Sequence, residues 1–217
     1  MTETQRPRKE RKENADKRRR QILDATIRSI AANGLARTTL ATVATEAGLS
    51  QGVAVFYFKS KNGLLTEALR DLYQAYTEHW QGALKRAGSD PVDRLLAIIR
   101  ADFDSEIVNP EVLSVWFAFW GEQSVTTQYA DIVREFDHKR QEALRSICMA
   151  LLPADHERAI RIAVWVDAMT DGLWQHLHLY RKEQETGPAL QTTLQFLSAL
   201  LPEYADRLTA CTAPNPD

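Results

Sequence analysis

The chain has 217 residues, 44% of them hydrophobic, with a formal net charge of −2. That much apolar material supports one large or two small domains with a real core, which excludes a wholly disordered protein. Apolar runs such as Val115 to Trp120 fall far short of the ~20 residues that cross a bilayer, and the polar N-terminus lacks the apolar stretch of a secretory signal. Cys148 and Cys211 form neither a metal spacing nor a disulfide framework, so a cytoplasmic protein with no metal and no cofactor is expected.

Charge is unevenly spread. Residues 1–61 hold 13 Lys/Arg against 6 Asp/Glu, a balance of +7, while residues 62–217 hold 14 against 23, a balance of −9. A basic end on an acidic body points to a polyanionic partner for that end. Strand-like alternation is absent and Gly and Pro are sparse, so the fold class is all-α, with about nine helices.

In chain order, residues 1–16 are polar, without hydrophobic period, and are expected to be a disordered basic arm. Lys17-Arg18-Arg19-Arg20 opens a helix whose buried stripe is Ile22, Ala25, Ile27, Ile30 and Ala31, ended by Asn33-Gly34. Cations at a helix N-terminus oppose its dipole, a cost that phosphates would remove. Thr38 and Thr39 precede a second helix with Leu40, Val43, Ala44 and Ala47 on one face; Gly48 suits a left-handed stop, and Ser50 caps a third helix, Gln51 to Tyr57. On spacing alone this layout fits both a helix-turn-helix and an ordinary helical corner.

Ser60 caps the next helix, which carries Leu64, Leu65, Ala68, Leu69, Leu72, Tyr76 and Trp80 to about Ala87. Asp90-Pro91 and Asn109-Pro110 are cap-plus-proline starts for two further helices, the second apolar nearly all round. Long helices follow from Thr126 or Thr127 to about Leu152 and from Asp155 to about Lys182, then a last one over Ala189 to Leu201. These place a DNA-binding domain at 17–62, a second helical domain at 63–205 and a flexible tail at 206–217.

The stretch Ala41 to Leu65 carries Val43-Ala44, Gly48, Ser50, Gly52, Tyr57-Phe58 and Lys61 at a joint spacing that resembles the signature of the TetR family of repressors. KNGLL (Lys61 to Leu65), VWFAFWGE (Val115 to Glu122) and DGLW (Asp171 to Trp174) are similar to the choline-sensing, BetI-like branch. The resemblance implies a homodimeric transcriptional repressor, not an enzyme. An N-terminal three-helix domain would bind a pseudo-palindromic duplex operator. A C-terminal helical domain would bind a small effector and dimerise through residues 155–182 and 189–201.

On that resemblance Arg18, Arg19, Arg20, Thr39, Ser50, Tyr57 and Lys61 would meet the DNA backbone, and Gly52 would let α-helix and duplex approach closely. Gln51 could form a bidentate pair with adenine. Val53 and Val55 depart from the polar residues common in relatives and would meet thymine methyls; Phe56 completes the face, whereas Ala54 and Phe58 point to the core. For the effector, a quaternary ammonium cannot donate hydrogen bonds and is held by aromatic faces with a carboxylate. Trp116 and Trp120, four apart, and Asp171 with Trp174 are the candidates, with Phe103 and Tyr129 as additions. Asp167, Asp171, Trp174 and His178 share one helix face. The same residues fit ordinary core packing, and a hydrophobic drug or acyl ligand is the alternative to choline.

Overall fold

The structure, a computed structural model, describes residues 6–122, 126–180 and 186–210. Among them the secondary structure is helical: α1 (Arg6–Arg37), α2 (Leu40–Glu46), α3 (Gln51–Phe58), α4 (Lys61–Arg86), α5 (Pro91–Asp102), α6 (Pro110–Glu122), α7 (Thr127–Leu151), α8 (His156–Leu179), α9 (Thr186–Leu200), a 3-10 turn at Pro202–Tyr204, and α10 (Ala205–Thr209). The chain packs as two units, Met1–Leu72 with Ser114–Ala130, and Tyr73–Leu113 with Asp131–Asp217. The division expected at 62/63 is therefore not respected. The first half of α4, most of α6 and the first turn of α7 join the N-terminal helices.

In the first unit, α1, α2, α3 and the start of α4 surround a core of Ile22, Leu23, Ala25, Val43, Ala44, Ala47, Ala54, Phe58, Leu64 and Ala68. Thr39 caps α2 in a reciprocal box with Thr42, and Thr38 is instead buried, with its hydroxyl on the Gly34 carbonyl at 3.0 Å. Gly48 takes the left-handed backbone (φ 64) that stops α2. The exit from α3 is a γ-turn: Lys59 has φ 64, and the Ser60 N–H donates to the Phe58 carbonyl at 2.7 Å. That carbonyl would lie 2.4 Å from a Cβ on residue 63, so only glycine fits there.

In the second unit, Asp90 caps α5, accepting from the N–H groups of Val92 and Asp93. A buried ion-pair network ties α4, α5, α7 and α8 together. The Arg140 guanidinium bridges Asp102 and Asp167 and donates to Thr170 at 3.3 Å. The Tyr76 hydroxyl donates to Asp102 at 2.7 Å, and the Trp174 indole N–H to the Asp102 carbonyl at 2.8 Å.

Three expectations at the helix ends are corrected. Residues 6–16 are helical rather than a disordered arm: they are rich in Arg, Lys and Glu, strong helix formers, and Pro7 sits in the first turn, where it is tolerated. Residues 206–210 are not a flexible tail. Leu208 is buried, and Arg207 clamps Asp90 at 2.8 Å and Asp93 at 2.7 Å, holding the Asp90 carboxyl down at about 2. Ser50 makes no side-chain capping bond to α3. Residues 1–5 and 211–217, including Cys211, lie outside the described residues. Cys148 is buried, which pushes its thiol up to about 12.

Replacing Gly63 with Ala forces the Phe58 carbonyl to move and should destabilise the first unit by about 1–3 kcal/mol; thermal unfolding followed by far-ultraviolet circular dichroism measures it. Arg140→Met leaves Asp102 and Asp167 facing each other without their cation. It should lower stability by roughly 3–5 kcal/mol, read as a denaturant midpoint, and adding Asp102→Leu and Asp167→Leu should recover much of the loss.

Candidate functional site

The first candidate surface is the solvent face of α3. Ala54 and Phe58 are buried and Val53 and Tyr57 half-buried, which leaves Gln51, Gly52, Val55, Phe56 and Lys59 outward. The inward assignment of Ala54 and Phe58 follows from their i, i+4 spacing, and both join the core. The Lys59 ammonium donates back to the Phe56 carbonyl at 2.6 Å. Lys59 is the outward residue that motif reading missed; its signal was a lysine directly after the last buried aromatic.

The flanking cations divide. Arg19 pairs with Glu67, and Arg20 makes two 2.7 Å bonds to Asp71 and one to Asp24. These two arginines, expected to meet phosphate, fasten α1 to α4 while staying about half exposed, because acids one helical turn apart on α4 lie opposite them. Arg18 bonds Gln21 at 3.0 Å and stays exposed. Lys61 donates to the Ala36 carbonyl at 2.6 Å. The Thr39 hydroxyl accepts from Thr42 N–H at 3.1 Å, while Ser50 is exposed.

The second candidate surrounds Arg140. One side-chain cation that is 7% exposed meets Asp102, itself 1% exposed, and Asp167. Two further carboxylates belong to the same cluster: Asp137, which Tyr73 hydrogen-bonds, and Asp171, both feeling Arg140 at a distance without a salt bridge to it. Burial, then Asp167, pushes the Asp137 carboxyl up to about 6. Asp171 is solvent-exposed as a residue, yet partial burial of its carboxyl and the nearby charges of Asp167, Asp137 and Asp102 push it up to about 7 against the pull of Arg140. Burial also raises Asp102, against the pull of Arg140 and Tyr76. Beside Asp102, Tyr76 and Trp174 meet edge to face, with centroids 5.3 Å apart at 65°.

Of the residues named for an effector, Asp171 and Trp174 lie in this cluster, and Phe103, the C-cap of α5 following Asp102, is buried in the same unit. Trp116, Trp120 and Tyr129 belong to the first unit, where Trp116 lies 6.5 Å from Trp120 and Tyr129 meets Phe119 edge-on at 5.2 Å. Asp102, Asp137 and Arg140 went unnoticed in the sequence, and Tyr76 was read only as part of an apolar stripe. Each sits singly in an amphipathic helix, and only the packing of α4, α5 and α7 unites them. Asp167 is committed to Arg140 and Gln141, and no metal-binding group of His, Cys, Asp or Glu occurs among the described residues.

No helix among the described residues is long and apolar enough to cross a membrane. Residues 22–68 match the family described as bacterial regulatory proteins, tetR family, and residues 91–202 match the BetI-type transcriptional repressor C-terminal family. The HTH-type transcriptional regulator BetI of Paraburkholderia xenovorans strain LB400 is 34% identical over 194 residues, covering 85% of this chain and 93% of that protein. A crystal structure from Pseudomonas aeruginosa PAO1 shares the fold with a TM-score of 0.77 at 21% identity, covering 89% of this chain and 94% of its own. A protein from Saccharomonospora viridis solved in complex with choline has a TM-score of 0.72 at 20% identity, covering 84% of this chain and 96% of its own. These matches are to transcriptional regulators rather than enzymes, and the chain belongs to the TetR family of transcriptional regulators, with a C-terminal domain of the BetI type.

Proposed function

We propose that this regulator is a repressor that binds a pseudo-palindromic operator as a homodimer and is released by a quaternary ammonium of the choline class. The observation that carries the effector class is the surplus of carboxylate around Arg140, with two aromatic residues, Tyr76 and Trp174, hydrogen-bonded to Asp102 beside it. One guanidinium pairs with Asp102 and Asp167 and also acts on Asp171 and on Asp137, which Tyr73 hydrogen-bonds, so among the described residues four carboxylates share one buried cation and a bound cation would be favoured there. Trp174 and Tyr76 would hold its methyl groups, as ring faces attract cations that cannot hydrogen-bond. A neutral acyl chain would gain nothing from the carboxylates and would cost them hydration.

At the other end, α3 would enter the major groove by its Gln51, Gly52, Val55 and Phe56 face, with Arg18, Ser50, Tyr57 and Lys61 beside the phosphates. The dimer would form through α8 and α9. Ile160, Val164, Trp165 and Leu179 are large apolar residues left exposed on α8, as an unfilled interface requires. α4 contributes to both units, so it is the covalent path by which an occupied site would change the spacing of two α3 helices. The effector must bind the two arrangements with different affinity, since equal binding shifts nothing.

Genomic footprinting with and without choline tests this reading, and protection that choline leaves unchanged would refute the proposed effector. On a protected duplex, affinity should fall about 10³–10⁵-fold between 50 and 200 mM salt, as expected when roughly 6–10 phosphates are neutralised; a flat response would refute DNA binding through this face.

The pH dependence has a definite sign. Asp171, raised to about 7, is protonated in the empty site at pH 5 and ionised at pH 8. Stability of the empty protein should therefore decline as pH rises from about 4 to 7. Choline affinity, read from tryptophan fluorescence, should rise over pH 5 to 8, by up to about tenfold per unit for one proton released. In Asp171→Asn that rise should shrink, and the uncharged carbon isostere of choline should show none.

A further inference from the structure

Among the described residues Phe56 is the most exposed large hydrophobic side chain, at 67%, and its neighbour Val55 is 39% exposed. They occupy the centre of the outward face of α3, between Gln51 at one end and Lys59 at the other. An aromatic ring held in water at the middle of a functional face calls for an apolar partner. The proposed partner is the major groove, whose base edges carry hydrogen-bonding groups with one apolar exception, the 5-methyl group of thymine.

The ring is also held in place before any partner arrives. Phe58 is anchored in the core at 4% exposure. Tyr57 tilts against it at 6.3 Å, and Phe56 stands edge-on to Tyr57 at 5.2 Å and 89°. The Lys59 ammonium lies 5.1 Å from the Phe56 centroid while its nitrogen bonds the Phe56 carbonyl. Three rings thus run from core to surface, with a cation over the last. Little side-chain freedom remains to be lost on binding, which is the condition under which a weak apolar contact becomes selective. The fixed Lys59 charge places the ring beside a polyanion, so charge and shape select the same occupant.

We propose that Phe56, supported by Val55, is a sequence-specificity determinant that reads thymine by its methyl group at the centre of each operator half-site. The proposal rests on the repressor reading above and names what α3 recognises. Gln51 reads by hydrogen bonds, and Phe56 reads the one base feature that hydrogen bonds cannot.

The test starts from a randomised duplex library selected with the full-length protein. The most enriched duplex is synthesised with each thymine replaced in turn by uracil, which removes one methyl and leaves all pairing groups. Wild-type protein should lose about three- to fivefold in affinity at one or two thymines in each half-site. Phe56→Ala, which removes an exposed side chain and leaves the core intact, should bind the thymine and uracil duplexes equally. Gln51→Ala should bind more weakly yet keep the thymine preference. Equal wild-type affinity for both duplexes would overturn the methyl reading while leaving the repressor reading in place. A thymine preference that survives in Phe56→Ala would overturn the assignment to this residue. If no duplex is enriched, DNA recognition by α3 fails and this proposal fails with it.

Discussion

The second unit is built around one buried guanidinium. Arg140 cannot lose its proton inside a protein, so wherever α7 places it, carboxylates must follow. Asp102 comes from α5 and Asp167 from α8, and Tyr76 of α4 satisfies the outer oxygen of Asp102. Four helices are thereby fixed in register by a polar contact, where Leu and Ile would have packed as stably. An ion pair kept only for stability would be neutral overall. This one sits in an excess of acid, since Asp137 and Asp171 share the same field, and that excess is what makes the region a candidate for a cation rather than a simple clamp.

The first unit obeys a different constraint, the sharp reversal between α3 and α4. The Phe58 carbonyl is pinned between the Ser60 N–H and the space that Gly63 leaves open. The backbone strain at Lys59 costs of order 1–3 kcal/mol. The reversal sets the end of α3 directly against the start of α4, so that Arg19 and Arg20 of α1 can reach acids on α4. These ion pairs are exposed and individually worth little. Their weight is geometric: they hold two solvent-exposed arginines against α4, whereas Arg18 is paired only within α1.

Much of this was legible in order along the chain. Asp90-Pro91, Thr39 as a cap, Gly48 and the i, i+4 pair Ala54 and Phe58 are local signals, and local signals decide helix ends and faces. The same reasoning read residues 6–16 by their lack of hydrophobic period and so missed a helix that forms from charged residues of high propensity. It missed the joining of Tyr76, Asp102 and Arg140 for a deeper reason. Their partners lie 26 and 38 residues away along the chain, and no spacing rule connects them. Asp171 and Trp174 were found because they are three apart on one helix; the rest of their surroundings is tertiary.

The charge distribution constrains how an effector could act. The N-terminal 61 residues carry +7 and the remainder −9, so a duplex is drawn to one end and repelled by the other. A quaternary ammonium entering the acidic body would reduce that repulsion. By long-range electrostatics alone it would strengthen DNA binding, the wrong direction for release, and at physiological salt the effect is screened beyond about 8 Å. Release by a cation therefore has to be conformational. A cation bound beside Asp171 and Asp137 would offset a repulsion that the empty site relieves in part by protonating Asp171, and would thereby favour a packing of the helices around Arg140 different from that of the empty site. Of these helices, α4 alone contributes residues both to that cluster, through Tyr76, and to the core beneath α3, through Leu64 and Ala68. A shift of α4 along or about its own axis is then the smallest motion that would let one bound cation be felt at the recognition helix.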